Sequence, residues 1–326
     1  MLNQIKAFLG RDWTDTLEAI RSSLKSDIDL LDSTNTALLS NGGKQLRPMI
    51  SLLVARACSN GPIPSDSIHF AAATELLHNA TLLHDDVVDR STLRRGVPTV
   101  MSILGGPASV LLGDYWLVKA MDNILSSESY GHTAIRVFSK TLGDLAEGEM
   151  LQLQKASSCD TSEEDYLRII YSKTASLFEA SGVSAAISVD ADEEITSAVR
   201  EYCVDLGLAF QIKDDIFDYS DSTELGKPVG SDLDEQKITL PLIGALNNVS
   251  PEEGGRVRNM VREIGSHPEF KAAIRDFVFQ HGGIGYANAR LEEFARKAGE
   301  ALEVLPYSPE KGHLKWIADF IINRTK

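Results

Sequence analysis

The 326-residue sequence has little with which to build a disulfide framework, a membrane span or a nucleic-acid surface. Its three cysteines, Cys58, Cys159 and Cys203, are odd in number, far apart and without the paired spacing of a zinc site. That pattern suits a reducing compartment, and a cytoplasmic location is expected. Basic residues are outnumbered, 32 against 47 acidic ones, giving a formal charge of -15. Such a surface argues against nucleic acid as a partner, so any phosphate site must be built locally. Apolar runs are short: Ser109 to Leu112 and Tyr115 to Val118 are parted by Gly113 and Asp114. A bilayer span needs roughly 20 apolar residues, and no transmembrane segment is expected. Met1 to Lys6 has no basic stretch leading into an apolar core and cleavage site, so no secretory signal is expected either.

Also missing are alternating β-branched runs between hairpin turns, a Ser/His/Asp or Cys/His set, a glycine-rich dinucleotide loop and a P-loop. What remains is a helical pattern in a chain that is 43% hydrophobic and 24% charged, a balance that folds by burial. Leu17, Ile20, Leu24, Ile28 and Leu31 fall on one helical stripe, and the same spacing recurs through 66–89, 107–126, 131–156, 163–189 and 194–219. Thr161 with Glu164 reads as a capping box. Ser250-Pro251 and Ser308-Pro309 each put a cap oxygen before a proline at the first helical position. Breaks at Asn41-Gly42-Gly43, Asn60-Gly61-Pro62, Arg95-Gly96-Val97-Pro98, Gly105-Gly106-Pro107 and Leu225-Gly226-Lys227-Pro228 are turns, not domain linkers. The expectation is an all-α chain, one domain over residues 1–326, forming a single large helix bundle with shorter, more charged helices after 250 on its outside.

Chemistry concentrates in two acidic strings. Asp85 and Asp89 in Leu82-Leu83-His84-Asp85-Asp86-Val87-Val88-Asp89 share a helix face, with Asp86 turned by about 100°. Alone, such a string is more often a solvated helix face than a site. The leucines and valines around it predict a buried helix end, where carboxylates need a compensating cation. Oxygen-only ligands favour magnesium or calcium, and magnesium commonly joins one or two carboxylates to substrate phosphates. The pattern returns 129 residues later in Phe210-Gln211-Ile212-Lys213-Asp214-Asp215-Ile216-Phe217-Asp218. Two facing acidic helix ends would clamp several metal ions over one diphosphate and make it a leaving group.

Basic residues stand beside glycines or breaks: Lys44 and Arg47 in Gly42-Gly43-Lys44-Gln45-Leu46-Arg47-Pro48, Arg94-Arg95-Gly96, Lys173-Thr174, Lys227 and Lys237. Any one of them is more often a scattered surface charge. As a set in an acidic chain they suggest phosphate contacts. His78 lies two helical turns before Asp85 and by itself reads as a core histidine.

In this order, the motifs resemble those of the trans-isoprenyl diphosphate synthases over nearly the whole chain. The pattern of a terpene cyclase is absent at the second cluster. The resemblance implies the isoprenoid synthase fold around a deep central apolar cavity. It makes Asp85, Asp89 and Asp214 the chief magnesium ligands, supported by Asp86, Asp215 and Asp218. Arg94, Lys173, Lys227 and Lys237 would contact the allylic diphosphate, and Lys44, Arg47, His78 and Arg95 that of isopentenyl diphosphate. Thr174 and Gln211 would steady the developing carbocation. Departure of the diphosphate leaves an allylic cation, the isopentenyl double bond attacks it, and a proton passes to the released diphosphate. Arg324-Thr325-Lys326 is similar to the family's basic tail and implies closure over the site. The family's homodimer and a peripheral membrane contact on product release are further expectations.

Product length in this family follows the residues on the turns before the first cluster. Ala80 and Thr81 are small where short-chain members carry aromatics, and Gln152 stands where those members often have an acid. The chain therefore resembles the long-chain branch, with an octaprenyl-like product for a quinone side chain and Phe138 or Trp116 as the cavity floor. The other readings are a short-chain farnesyl or geranylgeranyl diphosphate synthase, a non-catalytic subunit of a heteromeric synthase, and a general magnesium-binding helical protein. Every expected position is filled, against the second, and the ordered basic residues speak against the third.

Overall fold

The computed structural model describes residues 2–40, 42–59, 61–94, 96–219 and 230–324. Arg95, Lys227, Thr325 and Lys326 lie outside the described residues. Of the described residues 79% are helical. Four of the long stretches appear as the helices Ser65–Val88, Gly106–Leu125, Gly131–Ser158 and Glu193–Asp218. The fifth divides into Glu163–Ile170 and Ser176–Ile187, joined by a π-helical turn, Tyr171–Ala175.

Three local expectations are corrected. The stripe from Leu17 to Leu31 is not one helix: Arg11–Ser23 stops at Leu24, and Ile28 is exposed before Asp29–Ser40 begins. The Ser26 hydroxyl accepts from the Ile28 N–H at 3.2 Å, a local bond that competes with helix continuation. The capping box falls one residue later than expected, on Ser162 and Asp165, while Thr161 is buried. A two-stranded antiparallel ribbon pairs Leu93–Arg94 with Val97–Pro98 where no strand was expected. Two-residue strands are too short to show alternation, and the left-handed Gly96 makes the turn.

The chain divides into two compact units, each drawn from several stretches. The first comprises residues 1–140, 177–200 and 302–315. Its centre is the Ser65–Val88 helix, apolar on nearly every side from Phe70 to Leu77 because Arg11–Ser23, Leu46–Cys58 and Gly106–Leu125 all pack on it. Gly113 allows one close approach, since a Cβ there would collide with the His84 ring. Buried Asn35 accepts from Trp116 Nε1 at 2.8 Å and donates to the Leu24 carbonyl at 2.8 Å, fixing the indole in the core.

The second unit comprises residues 141–176, 201–301 and 316–326. Its centre is the short helix Leu240–Leu246, buried along its whole length against Phe270–Gln280 and Gly283–Ala301. The later helices are not uniformly short: Gly283–Ala301 runs 19 residues. The π-helical turn sits against two glycines. A Cβ on Gly148 would lie 2.5 Å from Ser172 Cβ, and one on Gly207 would lie 2.5 Å from Ala175 Cα. Among the described residues no helix is long and apolar enough to cross a membrane.

Candidate active site

In the first unit the acids occupy the last turn of Ser65–Val88, and Asp89 is its C-cap. The 100° turn between Asp85 and Asp86 separates their environments. Asp86 is 4% exposed and accepts on Oδ1 from Arg94, from Nε at 2.9 Å and from the neighbouring terminal nitrogen at 2.8 Å. Asp85 is half-buried and Asp89 exposed. The helix end is thus less enclosed than its apolar flanks suggested, for Val88 is 58% exposed while Leu83 is buried. His84, between flank and cluster, is held by the Val110 carbonyl at 3.3 Å and Asp114 at 3.2 Å. His78 lies on the same helix, half-buried.

Lys44 is exposed in the loop before Leu46–Cys58, and Arg47 is in the first turn of that helix. Between them Gln45 adopts a left-handed backbone, uncommon for a residue with a side chain, and accepts from Lys6 Nζ at 3.1 Å. The Arg47 guanidinium stacks on Phe178, 4.5 Å from the ring centroid.

The second unit repeats the division of environments on Glu193–Asp218. Asp215 is 4% exposed. It accepts from Tyr166 Oη at 2.7 Å and from Gln211 Nε2 at 2.8 Å, while Gln211 Oε1 accepts from Thr174 Oγ1 at 2.7 Å. Burial, and after it the charge of Asp232, pushes the Asp215 carboxyl well above the usual carboxylate range, against the two hydrogen bonds that favour its ionised form. Asp214 is half-buried and accepts on Oδ1 from Arg324 at 2.6 Å. Asp218 takes Ser231 N and Oγ on Oδ1 at 3.0 and 2.9 Å, and Asp232 N on Oδ2 at 3.1 Å. Its backbone carbonyl accepts from Gly230 N at 2.9 Å. Asp218 thereby fastens the start of the segment that leads to half-buried Lys237, whose ammonium pairs with Glu235.

Lys173 and Thr174 were expected near a loop or helix end and instead occupy the π-helical turn, a distortion frequent at functional sites. Lys173 pairs with Glu149, which also accepts from Gln152 Nε2 at 3.1 Å. Sequence reasoning missed Tyr166 and Glu149. No local spacing marks either, because each meets its partner only through helix packing.

Among the described residues, no group of three or more His, Cys, Asp or Glu side chains stands in metal-holding geometry. The donor chemistry nevertheless fits a hard divalent cation: the first acid of each cluster is accessible and carries oxygen only. Such a cation takes one or two carboxylates and completes its shell with water and phosphate oxygens.

Residues 28–277 match the model of a family described as polyprenyl synthetase. The chain is 38% identical over 326 residues to the octaprenyl diphosphate synthase of Escherichia coli (strain K12), covering 100% of this chain and 99% of that protein. It is 36% identical over 313 residues to a short chain isoprenyl diphosphate synthase of Methanothermobacter thermautotrophicus, with 94% of each covered. The crystal structure of a polyprenyl synthase from Caulobacter crescentus CB15, complexed with calcium and isoprenyl diphosphate, matches with a TM-score of 0.90 at 34% identity over 100% of this chain and 98% of that one. This chain belongs to the polyprenyl synthetase family, and its fold is the all-α isoprenoid synthase fold.

The role of Asp218 can be checked directly. Asp218→Ala is expected to raise amide exchange at residues 231 and 232 and to lower stability by about 2 kcal/mol, the scale of losing hydrogen bonds to a charged group. Unchanged exchange there would show that the carboxylate does not fasten the segment.

Proposed function

We propose that this chain is a trans-prenyltransferase that condenses isopentenyl diphosphate with an allylic prenyl diphosphate, releases diphosphate and builds a long all-trans polyprenyl diphosphate. The whole chain acts as one catalytic domain. The observation that carries the reading is the repeated division within the two acidic clusters: the second acid is buried, while the first keeps partial exposure. Asp85, Asp89 and Asp214 are the chief metal ligands in this reading, with Asp86, Asp215 and Asp218 as supports. Magnesium, when bound, supplies the positive charge that turns the allylic diphosphate into a leaving group.

The remaining work falls to the chain's own side chains. A guanidinium has five donors, so Arg94 can hold Asp86 and still present its other edge to the allylic diphosphate. Lys173, paired with Glu149, keeps further ammonium donors for the same group, joined by Lys227 and Lys237. Lys44, Arg47, His78 and Arg95 receive the isopentenyl diphosphate. No side-chain oxygen caps the Leu46–Cys58 helix, which leaves its first N–H groups suited to an anion. The Gln211 amide is fixed from both ends by Thr174 and Asp215, so its oxygen can face a developing allylic cation without reorganising.

Length control falls on the turn before the first cluster. Ala80 is packed, whereas Thr81, four residues before Asp85 and on its face of the helix, keeps partial exposure. Thr81 is therefore the position a growing chain meets first, and its small side chain lets the chain pass. A homodimer completes the proposal. Leu111, Val118 and Leu125 recur every seven residues on Gly106–Leu125 and are 69%, 55% and 55% exposed, an apolar stripe suited to a second copy.

Asp85→Ala or Asp214→Ala is expected to lower condensation by at least about a thousandfold, on the scale of losing a group that stabilises transition-state charge, with an unchanged circular-dichroism spectrum. Near-normal turnover in either variant would overturn the mechanism. Thr81→Phe is expected to shorten the main product by several isoprene units in mass spectrometry, and an unchanged length would remove Thr81 from length control. Light scattering is expected to give the mass of two chains, and a one-chain mass at assay concentration would contradict the dimer.

A further inference from the structure

The Pro309–Asn323 helix is followed by an arginine that the second acidic cluster encloses. The Arg324 side chain is only 4% exposed. One of its terminal nitrogens donates to Asp214 Oδ1 at 2.6 Å and to the Phe210 carbonyl at 2.9 Å. Its guanidinium carbon lies 4.1 Å from the ring centroid of Phe210 and 5.4 Å from that of Phe217. Phe210, Asp214 and Phe217 follow one another at helical spacing along one face of Glu193–Asp218. Burying a guanidinium is costly unless it is answered, and here a carboxylate, a carbonyl and two aromatic faces answer it.

The contact changes what Asp214 can bind. With Arg324 at hydrogen-bonding distance, its carboxylate is already neutralised, and a bare divalent cation arriving there meets a positive charge. A cation that arrives with diphosphate is different. A prenyl diphosphate carries more negative charge than one divalent ion offsets, so the complex is attracted to the arginine rather than repelled.

We propose that Arg324 is a positioning residue that reserves Asp214 for a metal ion already carrying diphosphate, by occupying the carboxylate in a way that a bare cation cannot profitably displace. The inference rests on Asp214 being a metal ligand in the function proposed above. It assigns the cluster an order of loading, diphosphate with or before metal, and gives the C-terminal arginine a role in setting it.

The test is binding of Mn2+ to the full-length chain without diphosphate, followed by the electron paramagnetic resonance signal of the free ion. Arg324→Met is expected to bind Mn2+ about tenfold more tightly than the wild type, the scale of removing one nearby positive charge from a divalent site. Arg324→Gln, which keeps a donor and loses the charge, is expected to follow it. Arg324→Lys, which keeps the charge, is expected to stay near the wild type, a separation that a merely structural role would not give. The gain is expected to vanish when Asp214→Asn is added, and inorganic diphosphate is expected to bring the wild type up to the neutral variants. Bare Mn2+ binding that is equal or weaker in both folded neutral variants would overturn the inference while leaving the proposed function standing. If Asp214→Asn binds Mn2+ with diphosphate as tightly as the wild type, Asp214 is not a ligand and the reading beneath the inference falls.

Discussion

Neighbouring carboxylates at the end of an apolar helix resist burial, and in each cluster the residues packed around the buried acid answer that cost. Each cluster carries three acids within five residues. In each, the acid that points into the protein is neutralised or hydrogen-bonded from within its own unit. Arg94 answers Asp86, and Tyr166 with Gln211 answers Asp215. The first acid of each string keeps partial exposure, Asp85 at the end of its helix and Asp214 in contact with Arg324.

Positioning of the second half depends on backbone as much as on charge. The π-helical turn Tyr171–Ala175 brings Thr174 to Gln211 and Lys173 to Glu149. It can do so only because Gly148 and Gly207 leave room for Ser172 and Ala175. An extra methyl at Gly207 would press on backbone, not on the tip of a flexible chain, and backbone in a packed interior does not give way cheaply. The chain from π-helical turn to Gln211 to Asp215 ties the geometry of a helix distortion to the cluster.

Much of this was legible in local spacing. Helix periodicity placed four of the five long stretches to within a few residues, the fifth dividing at its π-helical turn, and both acidic strings and the basic residues beside glycines or breaks are visible as patterns. What local spacing could not reveal are the partners. Tyr166 meets Asp215 across 49 residues and Arg324 meets Asp214 across 110, and either pairing follows from which helices pack together. The break near Ser26 was hidden because a serine turn can interrupt a stripe without disturbing its apolar spacing. Asp218 reads in sequence like the other acids of its string, and only the fold shows its oxygens committed to the backbone of residues 231 and 232. The ordered motifs, matched to the polyprenyl synthetase family, supplied the chemistry that composition could not.

As a long-chain trans-prenyltransferase, the protein repeats one condensation many times on a growing chain. That repetition is tested most directly by incubating the purified chain with magnesium, isopentenyl diphosphate and a panel of allylic diphosphates, then reading product length and released diphosphate together by mass spectrometry and phosphate assay. The account predicts an all-trans product longer than geranylgeranyl diphosphate, with one diphosphate released for each isopentenyl unit added. No consumption of isopentenyl diphosphate with any primer, or growth that stops at geranylgeranyl diphosphate or shorter, would contradict it.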